Sequence, residues 1–90
     1  MSPEVTAHVP TTLRVLVSPG RGRLRFLPPE RFEAGRELVT AGQPMARLTQ
    51  SGTDVILCAP IDGTVSSIIG LEGEPVVAGQ AVLAIEPIAS

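Results

Sequence analysis

Few side chains in this 90-residue sequence can do covalent chemistry, and the most informative residue type is one that is missing. All seven bases are arginine, and there is no lysine. Every mechanism that needs an ε-amine is thereby excluded: Schiff-base chemistry, a P-loop lysine and any lysine-linked prosthetic group. The single cysteine, Cys58, rules out an internal disulfide, and together with the lone His8 it makes no metal-ligating cluster. With no cation near it in sequence, Cys58 is expected to be a small core residue rather than a reactive thiol. Ser51 has no histidine–carboxylate partner in sequence reach, and Asp62-Gly63 reads as a turn pair rather than half of a carboxylate dyad. The remaining pattern is Arg21, Arg23 and Arg25. A period of two sets three guanidiniums on one strand face, about 7 Å apart. Such a stripe can steer an acidic partner. The competing reading is a solvated strand face whose arginines pair with glutamates across the sheet.

The elements that carry these residues are short. Nine Gly and nine Pro are scattered through the chain, the composition of brief strands joined by tight turns. Hydrophobic residues make up 43%, enough for one globular domain, while aromatics are 2%, so the core must be aliphatic. Strands are expected at 13–18, 22–27, 44–50, 54–59, 63–69 and 81–86, with short ones at Leu38-Val39 and Val76-Val77. No segment carries a helical stripe over ten residues. Residues 31–39 allow one helical turn, which Gly35 interrupts. Residues 1–12 and 88–90 are expected to be tails around one domain at 13–87.

The sequence repeats itself. Ala41-Gly42-Gln43 recurs as Ala78-Gly79-Gln80 and Pro19-x-x-Gly22 as Pro60-x-x-Gly63, and each Ala-Gly-Gln is followed by a strand of matching pattern, Met45-Ala46-Arg47-Leu48 and Val82-Leu83-Ala84-Ile85. Two halves, each strand–turn–strand–turn–strand, imply a pseudo-twofold structure. The first half is longer around residues 27–33, which is expected to form a protruding loop where a specific interaction could be encoded. Phe26 and Phe32 are expected either to cover one end of the domain or to form an exposed contact with Leu27.

This repeat resembles the biotinyl/lipoyl carrier domain. The resemblance spans about Leu13 to Pro87 and rests on Gly35…Val39-x-Ala41-Gly42-Gln43-Pro44-Met45-Ala46-x-Leu48, on Ala59-Pro60-Ile61-Asp62-Gly63-Thr64-Val65, and on Glu72-Gly73-Glu74-x-Val76-x-Ala78-Gly79-Gln80-x-Val82-Leu83-x-Ile85-Glu86. It implies an all-β fold, a flattened barrel of two four-stranded antiparallel sheets (a barrel-sandwich hybrid). It also implies a lysine at the tip of the central hairpin, where biotin or lipoate would be attached. Counting from Gly42-Gln43-Pro44 forward and from Ala59-Pro60 backward, that position is Gly52, flanked by Ser51 and Thr53. Neither Met-Lys-Met nor Asp-Lys-Ala survives, so neither biotin nor lipoate is expected, and Gln50-Ser51-Gly52-Thr53 reads as a tight turn with Gly52 at φ > 0.

The resulting expectation is a non-catalytic accessory or scaffolding subunit, without a cofactor, of an acyl-handling enzyme: an acyl-CoA carboxylase or an acyltransferase like that of 2-oxo-acid dehydrogenases. Its partner is then an enzyme subunit or an acyl carrier protein, met through Arg21, Arg23 and Arg25. The alternative is a carrier whose attachment point is Ser51, and a structural remnant with no partner stays open. An enzyme in its own right is disfavoured by the missing base–nucleophile pair. The net charge of −2 and pI near 5.2 argue against nucleic acid. No apolar run suits a membrane span and residues 1–12 lack the features of a secretory leader, so a cytoplasmic protein is expected. Limited burial in so small a domain leaves homodimerisation open.

Overall fold

The computed structural model describes residues 12–88. His8 and most of the two expected tails lie outside the described residues. Nine strands follow in order: β1 (Arg14–Val17), β2 (Gly22–Phe26), β3 (Phe32–Glu33), β4 (Arg36–Val39), β5 (Pro44–Gln50), β6 (Thr53–Cys58), β7 (Gly63–Ile68), β8 (Pro75–Val76) and β9 (Ala81–Pro87). Each strand expected from the sequence is present, and no described residue is helical.

The strands form two antiparallel sheets, β1-β9-β7-β4-β3 and β6-β5-β2-β8. No ladder joins them, so they are a pair of sheets rather than a closed barrel. The expectation of four strands in each sheet needs correction, because the first sheet has five. The extra strand, β3, comes from the stretch expected to be a loop or a helical turn. Glu33 pairs with Arg36, and both residues between them have positive φ, 52° at Ala34 and 79° at Gly35. Positive φ at both central residues gives a turn whose twist matches that of a hairpin, and this favours strand over helix.

The internal repeat becomes a symmetry of the topology. Exchanging β1 with β6, β2 with β7, β4 with β8 and β5 with β9 converts the order β1-β9-β7-β4 into β6-β5-β2-β8. The turns obey the same exchange. Gly42 has φ 87° and Gly79 has φ 84°. Gly42 N donates to Ala59 O at 2.8 Å and Gly79 N to Ser18 O at 2.7 Å, while the Gln43 and Gln80 side chains accept from Thr40 N at 3.0 Å and Val77 N at 3.1 Å. Gly22 and Gly63 also correspond. A Cβ on Gly22 would lie 2.7 Å from Thr49 O, and one on Gly63 would collide with Glu86 O. Each glycine therefore lets two strands approach where any side chain would hold them apart.

Alternation buries Leu24, Leu48, Leu57 and Val76 from one sheet and Val39 from the other, while β9 is buried continuously from Val82 to Ile85, and Met45, Ala46 and Ala59 close the cluster. Phe26 packs partly against this core, whereas Phe32 is exposed. The same alternation corrects the expectation for Cys58. Val55, Leu57 and Ala59 take the inward positions of this stretch, so Cys58 points outward and is exposed.

Candidate functional site: the hairpin tip and the arginine face

The β5–β6 hairpin is the longest two-strand ladder, pairing Pro44 with Cys58 at its base and Gln50 with Thr53 at its tip. Only Ser51 and Gly52 lie between the last pair. Gly52 has φ 72° and open space around it, a left-handed position that glycine fills without steric cost. Ser51 is exposed. The symmetry relates this tip to the paired ends of β1 and β9. One of the two related places is therefore a closed turn, and the other holds the first and last strands of the described residues.

The tip leans on the turn before β2. The Gln50 side chain lies 2.9 Å from where a Gly20 Cβ would stand, and β5 packs against Gly22 through Thr49. Arg23 lies opposite Thr49, so Arg21 falls level with the tip, and Arg23 and Arg25 continue away from it along the exposed face of β2. All three arginines are exposed. Arg25 faces Arg47 across the β2–β5 ladder, which adds a fourth guanidinium to this face.

The arginines are not equally free. Arg25 Nε lies 3.0 Å from Glu72, and the other Glu72 oxygen accepts from Phe26 N at 2.8 Å. The carboxylate thus stands in for a strand carbonyl beyond the end of the short β2–β8 ladder. Arg23 Nη1 donates to Gly73 O at 2.6 Å, and Arg47 lies 3.8 Å from Asp54. Of these, only Arg25–Glu72 is an arginine–glutamate pair of the kind the solvated-face reading expected. Arg21 has no ion-pair partner among the described residues. Asp62 is structural, accepting from Ala41 N at 2.7 Å.

Sequence reasoning missed Glu37. Its carboxyl is partly buried, and that burial raises its pKa above the usual carboxylate range. It has no hydrogen-bond or ion-pair partner among the described residues. Only the inward parity of Glu37 with Val39 on β4 could have signalled it. Compared with known families and curated proteins, the chain matches no family model and no curated sequence.

Proposed function

We propose that this chain is a domain of the biotinyl/lipoyl carrier type that carries no prosthetic group. It serves as a non-catalytic accessory subunit of an acyl-handling enzyme, of the acyl-CoA carboxylase or 2-oxo-acid-dehydrogenase acyltransferase kind. The observation that carries this reading is the exchange symmetry of the two sheets, together with a hairpin tip that has Gly52 where such a carrier needs an amine. In this reading the pair of sheets is the barrel-sandwich arrangement of that family, and the protein works in the cytoplasm.

Docking uses the face that starts at the tip. Arg21 has no ion-pair partner among the described residues, and Arg23 and Arg25 extend its face, so the partner presents acidic groups. The test is co-purification of the tagged chain from its native host. A stoichiometric carboxylase or acyltransferase component is expected, with recovery reduced about tenfold by joint Arg21→Glu, Arg23→Glu and Arg25→Glu substitution. Recovery unaffected by charge reversal removes the arginine face from the proposal, and finding no such component removes the accessory role.

The exposure of Ser51 supports a second reading, a carrier acylated or phosphopantetheinylated at that hydroxyl. Intact mass after expression in the native host decides it: the bare chain mass eliminates a modified Ser51.

A further inference from the structure

The β4–β7 ladder stops early. Leu38 pairs with Thr64 and Val39 with Gly63, but β7 runs on to Ile68 while β4 turns away toward β3. On the opposite side of β7 the register against β9 shifts between Val65 and Ser67, a bulge of the kind that bends its strand. The diverging β4 and β7 form a fork. From Val65 to Ile68 the β7 edge turned away from β9 has no strand beside it among the described residues.

The fork opens into a cleft of about 470 Å³ between β7 and the β3–β4 hairpin, with Phe32, Arg36 and Glu86 on its walls. Next to it is an apolar slot of about 270 Å³ lined by Phe26, Leu27, Pro29, Met45 and Leu83. Glu37 and Ile68 line both cavities. Arg36 and Glu86 engage each other at 3.6 Å, which leaves Glu37 as the carboxylate in the cleft without a partner.

We propose that this fork binds an extended segment of a partner protein, which pairs with β7 as an added strand, seats an apolar side chain in the slot and sets a basic side chain against Glu37. An open strand edge supplies main-chain hydrogen bonds, and pockets for alternate side chains supply selectivity. Residues two apart on a strand share a face and are separated by about 7 Å. The preferred segment therefore reads apolar–x–basic. A lysine or arginine at the third position meets a carboxylate that burial has already cost part of its hydration, and an acidic residue there is repelled. The proposal does not rest on the hairpin tip, on the arginine face or on any carrier ancestry.

The probe is a fluorescein-labelled peptide, Thr-Leu-Thr-Lys-Thr with blocked ends, titrated against the full chain by anisotropy, with backbone amide shifts mapped by NMR. Saturable binding is expected, with shifts concentrated at Val65–Ile68 and Arg36–Glu37. Glutamate in place of the peptide lysine, or Glu37→Gln in the protein, weakens binding about tenfold. Glu37→Lys reverses the preference, so the acidic peptide binds better than the basic one. N-methylation of the peptide amides that face β7 abolishes binding while leaving every side chain in place. Shifts confined to another surface, equal affinity for both peptides with unaltered protein, or no saturation up to about 1 mM each overturn the proposal.

Discussion

At the scale of single residues, two positions matter most. At the tip, Gly52 carries no charge and supplies backbone freedom at positive φ. On β4 a carboxylate occupies a partly buried inward position where an apolar residue would be the cheaper choice. The second position has a consequence for stability. The folded chain holds the Glu37 carboxyl at a raised pKa, so between the ordinary and the raised values the folded state binds the proton more tightly than the unfolded state. Stability therefore falls as pH rises through that window, and the loss is complete above the raised value. Glu37→Gln is expected to flatten this slope and to leave the chain more stable at neutral pH than the parent. Urea midpoints measured at intervals from about pH 4 to 7 check it. An identical slope in parent and variant would refute the assignment to Glu37. The cysteine teaches a smaller lesson. Composition favours burying Cys58, but strand parity outranks residue preference, and Leu57 takes the inward place.

At the scale of elements, the two Ala-Gly-Gln turns do the same work twice. In each, a glycine with positive φ closes the turn, and a glutamine side chain satisfies the amide three residues before it. Gln43→Ala and Gln80→Ala are each expected to cost about 1 kcal/mol, because each leaves one exposed backbone donor to water. The turns sit in different halves and share no partner, so the double variant should lose the sum of the two. Denaturant unfolding of the three variants measures this, and a strongly non-additive double variant would contradict the equivalence of the turns. The repeat of these motifs was legible in the sequence because turn chemistry is local. The β3–β4 hairpin was not. Proline and charge around residues 28–33 looked like loop, and Gly35 looked like a helix breaker. What makes the hairpin is Ala34 holding a positive φ, which no propensity favours.

At the scale of the whole molecule, the halves interleave. Each sheet takes strands from both halves of the chain, so the arginine-rich first half and the acidic second half are laid side by side. The ion pairs Arg25–Glu72, Arg36–Glu86 and Arg47–Asp54 each join a base of the first half to an acid of the second. Part of the charge polarity between the two halves of the sequence is thus neutralised by pairing, and among the described residues Arg21 beside the tip is one of the arginines without an ion pair. The hairpin of β3 and β4 stands apart from this scheme. It has no counterpart under the exchange of sheets, and no residue between Leu27 and Leu38 belongs to the buried core. Replacing Arg31–Gly35 with two glycines is accordingly expected to preserve one cooperative unfolding transition and the strand signal in circular dichroism, while removing one wall of the cleft and the binding of the basic peptide. Collapse of the transition would mean that the hairpin is part of the folding unit.

The sequence by itself determined the all-β class, the places of every strand but β3, the duplicated turns and the lack of an amine at the tip. All of these follow from residue types and short spacings, where period-two burial and glycine geometry act over a few residues. Tertiary structure decided the rest. The fork beside β7 exists because β4 pairs with only the first two residues of β7 and then with β3. The pairing of Arg25 with Glu72 exists because β2 and β8, far apart in sequence, are neighbours in one sheet. The unpaired state of Glu37 depends on what does not reach it. Each of these depends on which segments meet across the fold, and local spacing carries no record of that.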